Sequence, residues 1–257
     1  MSEFNNKKVA STISLMGVKL TLFNSYNDAV SSISTLLQSG VKVFTVAINP
    51  EKIYLANNEK KVLDAVNDAN LYICDGIGAK LGAFILHYKL PRRITGIELF
   101  YEMLKYAEAN HKRVFLLGGT ASVNALSVTK LKQDYPSLLL AGSANGYFDD
   151  SIKMVDLINK SKADFVFVAL GSPKQEFWIS ENRHKLHANF CMGVGGSFDV
   201  LSGTVERAPE LFRKTGTEWL HRLITNPSRW RRQTALPKFI TLLLKYKLHF
   251  RSQRLKK

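Results

Sequence analysis

The sequence predicts an α/β fold: a mostly parallel, Rossmann-like sheet with helices on both faces, followed by a basic helical appendage at the carboxyl terminus. Two observations predict the sheet. Short apolar runs of strand length alternate with segments of helical period, and several runs end in turns rich in glycine and small polar residues. Such alternation is typical of parallel sheets. A change in charge near residue 213 predicts the appendage.

Six apolar runs are the candidate strands, and helical periodicity fills the segments between them. The strands are expected at residues 43–48, 71–74, 113–117, 138–141, 165–170 and 190–192. The helices are expected at residues 25–38, 51–67, 97–110, 122–134, 151–161 and 174–186. An amino-terminal segment, residues 13–23, is expected to form a hairpin or edge strands before the first helix.

The composition is that of a globular protein. The chain has 257 residues, of which 46% are hydrophobic and 11% aromatic, enough for one large core or one domain with an appendage. Its first ten residues are polar and lysine-bearing, with no apolar signal segment behind them, so we expect no secretion. Cys74 and Cys191 lie in apolar runs and are expected to be reduced core residues.

Positive charge is concentrated near the carboxyl terminus. Residues 213–257 contain 13 Lys or Arg and one acid, Glu218, a net charge of +12, whereas residues 1–212 contain 23 basic and 20 acidic residues. We therefore divide the chain into an α/β core, residues 1–212, and a basic amphipathic appendage, residues 213–257. A tail of this charge suits a polyanion, either a nucleic acid or an anionic membrane face.

The appendage mixes aromatic and aliphatic residues with its basic ones. Pro227 and Pro237 are expected to divide it into short helical pieces. Its longest apolar run, residues 239–244, is far below the ~20 residues that a transmembrane helix needs. This pattern favours peripheral attachment to an anionic membrane. The alternative is a helical hairpin packed on the core with a solvated, charged face.

Polar residues and glycines follow each predicted strand, and parallel strands bring them to one edge of the sheet. They are Asn49, Asp75-Gly76, Gly118-Gly119, Asn145-Gly146, the turn from Gly171 to Gln175, and the turn from Gly193 through Gly195 to Asp199. Exposed backbone N–H groups at such turns bind phosphate-bearing ligands. The sequence therefore predicts a site for a nucleotide or nucleotide sugar at this edge.

Asp75 is the only carboxylate that directly follows a predicted strand. A carboxylate there can accept a proton from an attacking hydroxyl, or it can cap the next helix. Asn49 precedes Pro50 and has the same capping alternative, and Gly118-Gly119 has the alternative of a tight turn.

Other polar side chains suit a diphosphate and a sugar. Arg92 and Arg93 follow Pro91, and a guanidinium binds phosphate oxygens in pairs. Gln175 stands at a predicted helix start, where its amide can bond sugar hydroxyls. Lys174 is left with two interpretations, a phosphate contact or a pairing near Glu176.

Several sharper motifs are absent from the sequence. There is no P-loop, residues 193–196 lack the full dinucleotide-binding spacing, and Ser172 is not in a nucleophile elbow. No spaced pair of aspartates follows a strand, so we expect no required metal and no cofactor.

Taken in order, these motifs resemble the WecG/TagA/CpsF glycosyltransferases from about residue 13 to 232. They are Asn49-Pro-Glu-Lys52, Asp75-Gly76, Arg93-Ile-Thr-Gly96, Gly118-Gly119, Gly146-Tyr-Phe148, Gly171-Ser-Pro-Lys-Gln-Glu176, Gly193-Val-Gly-Gly196, Arg207-Ala-Pro209, Glu218-Trp219, Arg222-Leu223 and Pro227-Ser-Arg229. Residues 46–49, 171–176 and 227–229 look most like the WecG branch, which transfers N-acetylmannosaminuronic acid, so the resemblance makes this uronic acid the expected donor sugar.

The resemblance implies an inverting, metal-independent transfer of an N-acetylmannosamine-type sugar from UDP to N-acetylglucosamine on undecaprenyl diphosphate. The enzyme would be cytoplasmic and peripheral on the inner face of the bacterial plasma membrane. Asp75 would be the general base. Asn49, Gln175 and Arg93 match pocket residues, and Arg222, Arg229 and Arg232 match appendage arginines that close over the donor diphosphate.

At one position the sequence departs from the family pattern: Ala47 stands where teichoic-acid members carry threonine. This difference bears on the identity of the donor sugar. Three alternatives stay open: a transferase using another UDP-hexose or hexuronic acid for capsule or exopolysaccharide, a basic RNA-binding protein, and, disfavoured by the missing fingerprint, a dinucleotide-dependent oxidoreductase. We expect no nucleic acid partner, and formation of a homo-oligomer is left open.

Overall fold

The computed structural model describes residues 10–225, 230 and 234–254. Six strands form one parallel sheet in the order β4-β3-β8-β7-β5-β6, and a separate hairpin pairs β1 with β2. The strands are β1 (Thr12–Leu15), β2 (Val18–Thr21), β3 (Val43–Ile48), β4 (Leu71–Cys74), β5 (Val114–Gly118), β6 (Leu140–Ala144), β7 (Phe165–Ala169) and β8 (Phe190–Gly193). The predicted parallel α/β sheet is confirmed.

Helices connect the strands and continue to the carboxyl terminus. They are α1 (Tyr26–Gln38), α2 (Pro50–Asn58), α3 (Lys60–Asn67), α4 (Ile77–Ile85), α5 (Gly96–Ala109), α6 (Ala121–Asp134), α7 (Ser151–Ser161), α8 (Lys174–Asn182), α9 (Ser197–Leu201), α10 (Glu210–Thr215), α11 (Glu218–Thr225) and α12 (Ala235–Arg254).

The sheet is buried on both faces, as its sequence predicts. Side chains alternate along each strand, so that Phe44 and Val46 of β3 pack on one face while Val43 packs on the other. One core cluster includes side chains of the hairpin and of α2, α3, α4, α7, α8 and α12. The other includes side chains of α1, α5, α6 and α9. Helices therefore cover both faces.

Several element boundaries differ from the sequence expectation, and three of the differences are described here. The helix expected over residues 51–67 is two helices, because Glu59 has extended backbone torsions (φ −132°, ψ 108°) between α2 and α3. The weak helix formers Asn57 and Asn58 precede this break. Helix α8 ends at Asn182 rather than at residue 186, and β6 begins at Leu140 rather than at 138.

The carboxyl-terminal region packs on the core. Helix α12 is twenty residues long, and Pro237 lies in its first turn, where a missing N–H costs no helical hydrogen bond. Phe239 and Leu243 are buried. A Cβ on Gly82 of α4 would lie only 2.8 Å from the Phe239 ring, so the glycine lets the ring approach. The expected short pieces are thus one long helix here, while Pro227 lies outside the described residues.

Two further observations concern the appendage. The expected domain boundary at residues 212 and 213 falls within α10. Among the residues the structure describes, no helix is both long enough and apolar enough to cross a bilayer.

Candidate functional site

Asp75 stands at the carboxyl end of β4, at the sheet edge expected from the sequence. Its backbone N–H donates to the Ile48 carbonyl at 2.8 Å, which fixes it beside the end of β3. A Cβ on Gly96 would lie 3.4 Å from Asp75 Oδ2 and 3.2 Å from Ala47 Cβ. Because Gly96 has no side chain, the first turn of α5 lies against the carboxylate. The N-cap position of α4 is Gly76, so Asp75 precedes that position.

The pKa of the Cys74 thiol, next to Asp75 in the chain, depends on the charges around the end of β4. Burial raises the pKa of Cys74 to about 12, and the charge of Asp75 adds to the shift. Lys80 and Arg93 act in the opposite direction on the same thiol. The end of β4 therefore lies within the field of a carboxylate and two cations.

A cleft of about 470 Å³ opens beside this strand end. Six basic and three acidic residues line it together with Tyr26, Ile77, Thr95 and Gly216: Lys80, Arg92, Arg93, Arg207, Arg213, Lys214, Glu98, Glu210 and Glu218. Ile77 lies two residues beyond Asp75 in the chain. The lining carries a net charge of +3, which favours an anionic ligand.

Hydrogen bonds tie the cleft residues to one another. Arg93 Nη2 donates to the Arg213 carbonyl at 2.9 Å, which links the segment before α5 to α10. Arg207 Nη2 donates to Glu98 Oε1, and Arg213 Nη1 lies 3.8 Å from the same oxygen. Glu98 thus holds two arginines along one wall, and their remaining N–H groups can face a phosphate.

Asn49 caps helix α2. Its Oδ1 accepts the Lys52 backbone N–H at 2.8 Å, and Pro50 occupies the first helical position. The capping interpretation of Asn49 is therefore confirmed, and the residue stays partly exposed at the end of β3.

Gln175 lies in a buried polar network between two strand ends. Its Nε2 donates to Glu176 Oε1 at 2.8 Å, and its Oε1 accepts the Gly195 N–H at 3.0 Å. A Cβ on Gly193 would come within 2.6 Å of Gln175 Nε2, so residue 193 needs to be glycine for this contact. With 2% of its surface exposed, Gln175 connects the first turn of α8 to the loop after β8.

Lys52 completes this network. Its Nζ lies 2.8 Å from Glu176 Oε1 and donates to the Ala47 carbonyl at 2.7 Å. The partner of Glu176 is thus Lys52 of α2, not the neighbouring Lys174 considered from the sequence. The second carboxylate oxygen of Glu176, Oε2, is buried without a hydrogen-bond partner.

Gly118 has a packing role at the end of β5. Its φ is +128°, and a Cβ would lie 2.4 Å from the Ala169 carbonyl oxygen, so only glycine fits between these strand ends. The next residue, Gly119, donates its N–H to the same oxygen at 3.1 Å. The Gly171 carbonyl accepts the Gln175 N–H at 2.9 Å, so the turn after β7 is closed as well.

The predicted appendage arginines are described only in part. Arg222 lies in α11, and Arg229 and Arg232 lie outside the described residues. Among the residues that are described, no group of three or more His, Cys, Asp and Glu is placed to hold a metal ion.

Sequence reasoning missed several residues of this region. The motifs above contain Lys52 and Arg207 but assign them no role, and neither Glu98 nor Lys80 received one. The signal for Glu98 was its position two residues after the Arg93-to-Gly96 motif, in the first turn of α5. The contacts of Lys52 and Arg207 join residues that are more than 100 positions apart, so local spacing could not show them.

A parallel sheet with a carboxylate and a basic cleft near its carboxyl edge is typical of α/β proteins that bind anionic ligands. The sequence model of the Glycosyl transferase WecG/TagA/CpsF family matches residues 13–253. The chain belongs to this family and is a glycosyltransferase. This membership decides against the RNA-binding and oxidoreductase alternatives.

Curated relatives agree with this assignment. An N-acetylglucosaminyldiphosphoundecaprenol N-acetyl-beta-D-mannosaminyltransferase of Bacillus spizizenii is 39% identical over 213 residues, covering 83% of each chain. The protein of that name from Bacillus subtilis is 37% identical over 77% of each chain. The one from Staphylococcus aureus is 37% identical over 82% of this chain and 83% of its own.

Proposed function

We propose that this chain transfers an N-acetylmannosamine-type sugar from UDP to N-acetylglucosamine on undecaprenyl diphosphate, with inversion and without a required metal. The names of the Bacillus and Staphylococcus relatives support both the sugar and the lipid-linked acceptor. The observation that carries the proposal is the position of the Asp75 carboxylate against Gly96. Asp75 does not itself line the basic cleft, but Ile77 and Thr95, which are close to Asp75 and Gly96 in the chain, do.

Asp75 is the proposed general base. It removes the proton from the acceptor hydroxyl, and the resulting oxygen attacks the anomeric carbon of the donor sugar. The bond from that carbon to the UDP oxygen breaks on the opposite face, which inverts the configuration. The hydrogen bond from the Asp75 backbone to Ile48 and the close approach of Gly96 fix this carboxylate before substrate binds.

The basic cleft is the proposed site of the departing diphosphate. Negative charge grows on UDP as the bond breaks, and fixed cations stabilise that charge in the transition state. Arg93 is held toward α10 by its bond to the Arg213 carbonyl, and Lys80 and Arg92 line the same cleft. We further propose that Arg222, Arg229 and Arg232 of the appendage close over the diphosphate.

The polar residues at neighbouring strand ends receive two different roles. Asn49 is partly exposed, so its amide can contact the donor sugar while its Oδ1 caps α2. Gln175 is buried with both ends of its amide bonded, so it shapes the site by holding the Gly195 loop. Gly118 contributes by letting the ends of β5 and β7 approach each other, and Gly171 contributes by closing the turn after β7.

The donor sugar is the finer point of the proposal. The named relatives transfer N-acetylmannosamine, whereas residues 46–49 and 171–176 resemble the branch that uses the corresponding uronic acid. The uronic acid carries an additional carboxylate, which the net positive lining of the cleft would also accept. Donor competition separates these two sugars.

A lipid-linked acceptor places the reaction at a membrane. We propose that the chain is peripheral on the inner face of the bacterial plasma membrane, held in part by the basic appendage of net charge +12.

The test is a transfer assay with the purified full chain. UDP-N-acetylmannosamine and UDP-N-acetylmannosaminuronic acid are offered separately and in competition, with a water-soluble short-chain lipid diphosphate of N-acetylglucosamine as acceptor. We expect transfer with the first donor, product of inverted anomeric configuration by proton NMR, and activity that survives chelation of divalent metals. If the folded protein transfers sugar from neither of the two donors, the proposed function is refuted.

A further inference from the structure

Helix α4 presents an exposed apolar stripe that begins at the cleft. Ile77, Leu81 and Phe84 follow one another at spacings of four and three residues, so they share one face of the helix. Leu81 is 53% exposed and Phe84 is 74% exposed. Ile77 lines the cleft, so the stripe extends from the cleft wall over about 10 Å of helix.

The core does not need these side chains. On the same helix, Ala79 and Ala83 are buried, and Gly78 and Gly82 face the carboxyl-terminal helix through Leu236 and Phe239. An exposed phenyl ring beside an exposed leucine, on a helix that already has its core contacts, indicates a surface for contact with another apolar phase.

The charged residues of α4 and of the helix that packs against it indicate which kind of surface the stripe contacts. Helix α4 and helix α12, which pack against each other, contain no Asp or Glu. Among the described side chains, the two helices carry four lysines: Lys80, Lys238, Lys245 and Lys247. Helix α12 also exposes Ile240, Leu244 and Leu248, at successive spacings of four residues.

We propose that the α4 stripe inserts into an anionic lipid bilayer and so places the mouth of the cleft at the membrane surface. Apolar side chains among lysines, on two helices without an Asp or Glu, match an interface of anionic headgroups over acyl chains. A second copy of the chain fits less well, because a two-fold contact here would bring like charges together. The inference deepens the proposed function, and rests on it only for the reason why the cleft should face lipid.

The binding test uses the full chain and vesicles of phosphatidylcholine, with or without phosphatidylglycerol. We expect the double variant L81S/F84S to lose about tenfold or more of its partitioning to anionic vesicles, because two side chains no longer leave water. The matched control is I152S/L157S on α7, which packs near β6 at the opposite end of the sheet, where these residues are 70% and 47% exposed. The control should bind as the unaltered chain does.

A second measurement does not depend on removing apolar surface. In F84W, we expect tryptophan emission to be quenched by brominated phosphatidylcholine in anionic vesicles beyond the quenching of the unaltered chain. In I152W, we expect no such increase. This quenching measurement tests insertion of the α4 stripe even if L81S/F84S fails to fold.

Two outcomes would overturn the inference. One is equal vesicle binding by L81S/F84S and the unaltered chain, together with no added quenching in F84W. The other is a lower sedimentation mass for L81S/F84S with unchanged vesicle binding, which would assign the stripe to a second copy. Failure of the proposed function is distinguishable, because it would appear as no transfer to the water-soluble acceptor, whatever the vesicles show.

Discussion

Lys52 and Glu176 form an ion pair of 2.8 Å whose two side chains are 5% and 0% exposed. Each occupies the first turn of a helix that leaves the functional edge of the sheet, α2 after β3 and α8 after β7. The Glu176 oxygen in this pair also accepts from Gln175, whose other end holds Gly195. One buried contact therefore fixes three strand ends relative to one another.

Removing one partner of this pair should destabilise the fold strongly. In K52M the Glu176 charge is left buried, and in E176Q the Lys52 charge is, so each variant should lose about 3–5 kcal/mol in the free energy of unfolding. The double variant K52M/E176Q buries no charge and keeps an amide oxygen for Gln175, so it should recover most of the loss. Urea unfolding measures all three, and simple addition of the two losses would contradict this account.

Replacing the proposed base should remove activity and spare stability. We expect D75N to lower the transfer rate by about a hundredfold or more, because an amide cannot accept the hydroxyl proton. Its thermal unfolding should match that of the unaltered chain. Asp149, which is exposed in the loop after β6, supplies the control variant D149N. If D75N turns over at the rate of D149N, the proton is accepted elsewhere.

Truncating Arg93 should weaken donor binding. In R93A we expect the KM for the UDP-sugar to rise about tenfold, because a charge-assisted contact to the diphosphate is lost. R93K should retain part of the affinity, as it keeps the charge without the planar fork. Initial rates over donor concentration give these values. R113A is the control, since Arg113 precedes β5 at the amino edge of the sheet; an equal rise there would show a nonspecific loss of charge.

Alkaline pH should destabilise the protein through its two thiols. Burial is the main cause that raises the pKa of Cys74 and of Cys191 to about 12, from the ordinary thiol value of 9.0. The thiols ionise more readily in the unfolded chain, so their contribution is complete below pH 9 and is lost as pH rises toward 12. Between these values each thiol should lower the free energy of unfolding by about 1.4 kcal/mol per pH unit.

Urea unfolding between pH 8 and 10 in approximate half-unit steps measures this loss, in a window below the ordinary ionisation of tyrosine. The variant C74A/C191A should lack the thiol contribution to the slope. Identical slopes for the variant and the unaltered chain would show that the thiols do not ionise on unfolding in this window.

The sheet was predictable because its signal is local. The limits of β3 and β4 match the apolar runs residue for residue, and strand ends such as Asp75 follow directly from them. A buried parallel strand needs apolar side chains on both faces, so the run itself marks the element. The break at Glu59 was missed, although residues 57–61 are all polar and interrupt the apolar repeat.

The contacts of the site were not predictable in the same way. Asn49 and Asp75 were found by position, since each follows a strand. The partners of Glu98 and Glu176 lie in distant segments, and their burial depends on how α2, α8 and α10 pack. Gly96 and Gly193 are evident in the sequence, but the sequence does not show why glycine is needed there. The close approach of Gly96 to Asp75 and of Gly193 to Gln175 is seen only in the folded chain.

The packing of Phe239 against Gly82 has a practical consequence. A chain shortened before Ala235 would keep every strand but uncover Ala79, Ala83 and Ile53, which now share a core cluster with Phe239 and Leu243. Such a fragment should aggregate and adhere to detergents and column matrices. Inactivity of the truncated chain could then result from poor solubility as well as from loss of catalytic residues. Substitutions of single arginines avoid this ambiguity, because they leave Phe239 packed against Gly82.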